Sequence, residues 1–270
     1  MITVRLCGGL GNQLFQYAVG RVLSIRWDVP LVLDVSSFAS DRKRTYMLAP
    51  YHVPARVVSS PRWRRWLAQV GGRYRRERGF AFDPQVLAVE PGSILDGYFQ
   101  SEKYFAAHAK TIRDDLSLKE PLSAEANSYL QAIEAAPVSV AVHVRRGDYV
   151  ADSVTRAYHG VCEWDYYEEA MARLRQRLGE AHFFFFSDDP AWLVERMTPG
   201  TVVQWLPPHE DLFLMSRCRH QIIANSSFSW WGAWLNQNPQ KIVIAPRRWF
   251  ANEKMEQQTG DLIPEGWERI

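Results

Sequence analysis

Three short runs of the chain carry side chains that folding alone does not call for. His143 to Tyr149 (HVRRGDY) ends an apolar stretch, Val138 to Val144, with a histidine, two arginines and an aspartate around a glycine. Arginine suits a phosphate because its planar, permanently charged fork donates two parallel hydrogen bonds. Strand alternation puts His143 and Arg145 on one face and Arg146 on the other. Arg145 is thus the expected anion ligand, with Arg146 pairing structurally to an acid such as Asp148. The competing reading is a surface salt-bridge cluster.

Asn225 to Leu235 (NSSFSWWGAWL) follows the strand-like HQIIA. Asn225, Ser226 and Ser227 before an aromatic helical run predict an N-cap with hydroxyls at the helix mouth, a second anion cradle. Ser226, Ser227 and Phe228 are the expected ligand neighbours, whereas Trp230, Trp231 and Trp234 read as core. Asp188 and Asp189 end the run His182 to Phe186 (HFFFF). Paired acids there could hold a divalent metal on a diphosphate. They lack the Asp-x-Asp spacing, however, and a carboxylate accepting from the N1–H and amino group of guanine is the preferred reading. No His/Cys cluster points to zinc, and no metal site is expected.

The third run opens the chain. Cys7 to Ala18 (CGGLGNQLFQYA) places Gly8, Gly9 and Gly11 between a strand and a helix, a geometry that admits an anion close to the backbone. Asp34, at the end of the next strand, sits where a ribose-binding carboxylate lies in a dinucleotide-binding unit. Leu14 stands where that fingerprint needs its third glycine. Asn12 and Gln13 set two amides where an anion or a sugar hydroxyl could lie, and a bare turn needs neither.

These runs must be positioned by something. The 270 residues suffice for one large domain or two small ones. A formal net charge of +2 argues against a dedicated polyanion partner, and no nucleic acid is expected. Cys7, Cys162 and Cys218 are far apart and odd in number, which suits a reducing compartment. No signal peptide or membrane-spanning run is apparent, so a cytoplasmic protein is expected. Arg62 to Arg78 carries seven arginines against one glutamate, interleaved with Trp63, Trp66 and Tyr74. It reads either as a solvated surface or as a patch for anionic lipid or an anionic acceptor.

Apolar runs alternate with helical periodicity in two successive sets. The first comprises Ile2 to Leu6, a helix from about Asn12, Val29 to Val35, Ser93 to Gln100 and a helix over Ser123 to Ala135. After Pro137 come Val138 to Val144, a helix over Trp164 to Leu178, His182 to Phe186, Val202 to Leu206, a helix over His209 to Arg217, Gln221 to Ala224 and Lys241 to Ala245. Such alternation predicts α/β architecture with parallel sheets, here as two domains, residues 1–136 and 137–270. Ligands in such folds sit at the carboxyl ends of strands, where all the polar runs fall.

Taken in order, GGLGNQLFQYA, GYFQSEKYF (Gly97 to Phe105), HVRRGDY, FSDD and NSSFSWWGAWL resemble the α-1,2-fucosyltransferases of glycosyltransferase family 11, from Leu6 to about Phe250. The resemblance implies a GT-B fold, two Rossmann-like domains facing across a cleft. It implies GDP-β-L-fucose in the C-terminal domain, on His143, Asp188, Asp189, Asn225, Ser226, Ser227 and Phe228, and a galactose-terminated acceptor on the N-terminal domain. Gly9, Gly11 and Gln13 then meet the donor from the opening turn, and Arg145, Asn12 and Asp148 are the expected catalytic residues. Asp148 or Asp152 is the candidate general base, and a base-free dissociative reaction stays open. The donor is a substrate, and no further cofactor is implied. Enzymes of this kind in bacteria often meet lipid-linked acceptors, which would place Arg62 to Arg78 against the inner membrane face. Three rivals remain: a fucosyltransferase of another linkage, an NAD-dependent oxidoreductase, and a non-catalytic carbohydrate-binding protein.

Overall fold

The computed structural model describes residues 1–60, 68–147, 157–158, 160–196 and 199–270. The chain divides into two compact units, Met1–Glu120 with Gln258–Pro264 and Pro121–Gln257 with Glu265–Ile270.

In the first unit, β1 (Ile2–Arg5) leads through the glycine turn into α1 (Leu10–Trp27) and back to β2 (Leu31–Asp34). β3 (Arg56–Val58), β4 (Tyr74–Arg76) and β5 (Ile94–Asp96) complete a sheet ordered β3-β2-β1-β5-β4, with every pairing parallel. The helix begins two residues before the expected Asn12, because Gly9 serves as its N-cap. β4 lies inside the basic run that the sequence reading left without structure. The return segment joins this unit through Asp261, which accepts from Phe82 N–H at 3.1 Å and pairs with Lys103.

The second unit holds α2 (Ala124–Ala135), β6 (Ser139–Val144), α3 (Trp164–Leu178), β7 (His182–Ser187), α4 (Pro190–Glu195), β8 (Thr201–Val202), α5 (Pro208–Arg217), β9 (His220–Ile222), α6 (Ser227–Leu235), β10 (Val243–Ala245) and β11 (Glu268–Arg269). Its sheet runs β11-β10-β9-β6-β7-β8, again with parallel pairings. Being covered on both faces, β6 and β7 are continuous apolar runs. Val140, Val142, Val144, Phe183 and Phe185 pack on Tyr167, Met171 and Leu174 of α3. Ala141, Phe184 and Phe186 pack on the other face with Ala126 and Ile133 of α2 and Leu214 and Met215 of α5. Burying each of these phenylalanines contributes roughly 1.5–3 kcal/mol.

That second core explains why the units divide at Glu120 and Pro121 and not at the expected 136/137: α2 buries its apolar side in the second unit. Glu210 at the start of α5 fixes the start of α2, accepting from Ser123 N–H at 2.6 Å and Ser123 Oγ at 2.9 Å. The indoles of α6 are core, as their helical spacing predicted: Trp230 and Trp231 are fully buried, and their rings meet at 5.2 Å.

Candidate functional site

Three of the polar runs end on neighbouring strands. β6 lies between β9 and β7, so HVRRGDY, the Ser226 cap and the Asp188–Asp189 pair emerge side by side at one carboxyl edge. This is the end of a parallel sheet at which α/β proteins bind ligands.

At the end of β6, Arg145 Nη1 lies 3.0 Å from Asp188 Oδ2, with the arginine side chain only 19% exposed. Asp188 Oδ1 accepts the backbone N–H of Arg146 at 2.9 Å. Gly147 lets this carboxylate come so close, since a Cβ there would lie 2.4 Å from Asp188 Oδ2. Arg146 turns to the other face, as alternation predicted, but meets Asp189 Oδ2 at 3.5 Å and the Trp192 ring at 3.8 Å. The first is a charge contact and not a hydrogen bond, because Arg146 Nε finds no acceptor among the described residues. Arg146 and Trp192, with Arg196, Trp164 and Asp165, line a cavity of about 350 Å³ beside β6.

Asp188 and Asp189 are therefore held by the protein itself. Besides its charge contact with Arg146, Asp189 caps α4 by accepting from Trp192 N–H at 3.3 Å. The acids expected to read a base also organise the two arginines. Asp148, Tyr149 and Asp152 lie outside the described residues, as do Arg62 to Leu67.

His143 is buried against Phe228, ring centroids 5.4 Å apart. Burial first, and the Arg145 charge second, push its imidazole down to about 3, so the ring is neutral at physiological pH. Its Nδ1 is buried without a hydrogen-bond partner among the described residues.

The cap of α6 forms as its sequence predicts. Ser226 is the N-cap residue and its Oγ accepts from Phe228 N–H at 3.3 Å; Ser227 opens the helix and is half-buried. The helix start thus presents N–H groups and the positive end of its dipole beside Arg145's strand. Asn225 departs from expectation. Its buried amide donates to Trp249 O at 3.1 Å and Gly160 O at 3.4 Å, and its Oδ1 faces Cys162 Sγ at 3.4 Å. It ties two loops together.

In the first unit, Gly8 takes φ +77°, a conformation that favours glycine, just before Gly9 and Gly11 enter α1. Gln13 is fully buried, donating to Gly8 O at 2.9 Å and Thr45 O at 2.8 Å and accepting from Met47 N–H at 2.8 Å. Both amide hydrogens and the oxygen are used within the protein, so Gln13 pins the following loop to the turn. Asn12 Oδ1 accepts from Gln100 Nε2 at 2.7 Å, which orients that amide over the turn. Asp34 Oδ1 accepts from Ser36 and Ser60 N–H, both at 3.0 Å.

One carboxyl at the second unit's carboxyl edge escaped the sequence reading. Asp211 lies in the first turn of α5, in what reads as an ordinary amphipathic helix. Burial, then the neighbouring Glu210 charge, push it up to about 7. Among the described residues no helix is long and apolar enough to cross a membrane, and no group of three or more His, Cys, Asp and Glu could hold a metal ion.

Comparison with known proteins agrees with this architecture. The chain is 32% identical to an alpha-1,2-colitosyltransferase of Escherichia coli, over 100% of this chain and 99% of the relative. It is 26% identical to the galactoside 2-alpha-L-fucosyltransferase Sec1 of Mus musculus, over 87% of this chain and 64% of that protein. A mutant of Arabidopsis thaliana FUT1 in complex with GDP superposes with a TM-score of 0.50 at 12% identity, covering 99% of this chain and 75% of that one. The fold is of the GT-B type, with two Rossmann-like parallel sheets. The model of glycosyl transferase family 11 matches residues 64–270, and the chain belongs to that family of enzymes.

Proposed function

We propose that the protein transfers L-fucose from GDP-β-L-fucose to the 2-hydroxyl of a galactoside, with inversion at C1. The observation that carries this reading is the convergence of Arg145 with its Asp188 brace, the Ser226–Ser227 helix mouth and buried His143 on adjacent strand ends. Of these, Arg145 and the helix mouth are fixed positive groups of the kind that suits a diphosphate. As the C1–O bond breaks, the sugar becomes oxocarbenium-like and the diphosphate gains charge. Arg145 and the α6 N-terminus are already in place to receive it, with no reorganisation at the moment of reaction. His143 stays neutral and keeps a polar nitrogen in the site. The second unit then holds the donor and the first the acceptor. The general base, if one acts, is Asp148. The acceptor is a galactose-terminated glycan, lipid-linked in the cell, and the arginines of the basic run rest on an anionic membrane surface.

A second donor is favoured by one finding, the 32% identity to the colitosyltransferase over the whole chain. Colitose is fucose without its 3-hydroxyl, so both donors present the same diphosphate and differ at one sugar carbon. Incubation with GDP-fucose, or with the GDP-linked 3-deoxy sugar, and a panel of β-galactosides, followed by NMR of the products, tests both. An α-1,2-linked fucoside is the expected product. Transfer of the 3-deoxy sugar alone would select the second reading, and no transfer from either donor would overturn both.

A further inference from the structure

Trp205 lies between β8 and α5 with 80% of its surface exposed, in a left-handed backbone conformation at φ +62°. Exposure leaves the apolar rings of the indole in water, and a non-glycine residue is strained at that φ. Among the described residues it makes no ring contact or hydrogen bond that would repay either. It is nevertheless firmly held. Val203 is buried, with its N–H on Phe185 O at 2.9 Å, Leu206 packs on the α2–α5 core, and Pro207 and Pro208 follow. Strained, exposed side chains that the surrounding structure over-determines cluster where ligands bind.

Its place in the sheet indicates the ligand. β8 is parallel to β7 and next to it, so Trp205 emerges at the same carboxyl edge as Asp188 and the Arg145 and Ser226 strand ends. From β9 to β8 is three strand spacings, about 14 Å. A nucleoside diphosphate laid along this edge with its phosphates at β9 and β6 would carry its base towards one flank or the other. The β10 flank presents Arg247 and Arg248 beside a cavity of about 320 Å³. On the β7–β8 flank Asp189 is engaged by Arg146, and what that side leaves open is the indole of Trp205, whose face suits the flat, neutral ring of a purine. We propose that Trp205 is the stacking platform for the purine base of the donor nucleotide. This rests on the nucleotide-sugar reading above and adds a residue that sets base affinity.

Calorimetry on the full chain separates the two. The parent should bind GDP; if it does not, the donor reading fails, whatever Trp205 does. Given parent binding, Trp205→Ala should weaken GDP by about tenfold or more, the range of base–aromatic stacking. Trp205→Phe should recover most of it. Inorganic pyrophosphate, which has no base, should bind parent and variant alike. Trp205→Gly, which relieves the positive φ, should melt no lower than the parent while losing GDP affinity. Unchanged GDP binding in Trp205→Ala would overturn the assignment. So would an unchanged GDP affinity with a raised KM for the galactoside, which would give the indole to the acceptor.

Discussion

Asp188 holds two consecutive residues of the HVRRGDY run at once: Oδ2 is 3.0 Å from Arg145 Nη1, and Oδ1 accepts Arg146 N–H at 2.9 Å. One carboxylate at the end of β7 therefore sets both the direction of the Arg145 fork and the path of the chain leaving β6. Since an acid at this place also neutralises part of the arginine's charge, its value lies in geometry. Arg145→Ala should lower kcat by about 10²–10³-fold and weaken GDP binding. Arg145→Lys should rescue poorly, because a point charge does not copy the fork. Asp188→Asn should reduce kcat more than it changes GDP affinity, since the arginine stays charged but loses its brace. Lys at 145 binding GDP like the parent, by calorimetry, would remove Arg145 from the phosphates.

On the proposed reading the leaving diphosphate meets Arg145 and a helix N-terminus, fixed positive charge where other transferases use a cation. Activity is therefore expected to survive exhaustive EDTA treatment, with magnesium or manganese changing the rate less than about threefold on the scale of a single lost donor. A complete loss restored by one particular cation would reverse this expectation.

Asp211 gives a prediction whose sign can be worked out. Its folded-state carboxyl is raised to about 7 by burial and Glu210, against about 4 when unfolded. The folded state thus holds the proton more tightly, and the stability present below about pH 4 is lost as pH rises through 7. Asp211→Asn keeps the neutral shape at every pH. At pH 8 it should be more stable than the parent by on the order of 1–2 kcal/mol, and the gap should close as pH falls to 4. His143, lowered to about 3, slopes the other way: its contribution is present above about pH 6.5 and lost as pH falls through 3. Because both proteins carry it, it cancels in the difference. Urea denaturation at pH 8, 6 and 4 measures the gap; a constant or inverted one would show that the Asp211 carboxyl is not raised.

Much of this was legible before the fold. α3 begins and ends where its periodicity places it, at Trp164 and Leu178, and the Ser226 cap follows from hydroxyl residues ahead of an apolar helix. Strand ends were legible because HVRRGDY and SDD break apolar runs abruptly. β4 was not, since Tyr74–Arg76 is three residues without alternation and is made a strand only by its partner β5. The roles of Gln13 and Asn225 were hidden for a different reason. An amide looks the same in sequence whether it faces a sugar or a carbonyl, and their partners Thr45, Met47 and Trp249 are 24 to 34 residues away. Nor does sequence reveal that Trp205, between a buried Val203 and two prolines, takes a positive φ.

The described portion of the basic run offers a place to test its two readings. Arg75 and Arg76 are exposed on β4, the edge strand of the first sheet, and their backbones pair with Leu95 and Asp96. Charged side chains on an edge strand commonly serve to prevent edge-to-edge association. Near an anionic bilayer each would contribute about 1 kcal/mol of attraction. Replacing Arg75 and Arg76 with Gln leaves the β4–β5 ladder intact, because it is made by main-chain groups. On the membrane reading, the double variant should bind anionic vesicles several-fold more weakly at low salt, with the difference shrinking as ionic strength rises and screening shortens the reach of each charge. Turnover of a short soluble galactoside should be unchanged. Vesicle binding equal to the parent's, accompanied by concentration-dependent self-association in sedimentation, would instead identify the two arginines as guards of an open sheet edge.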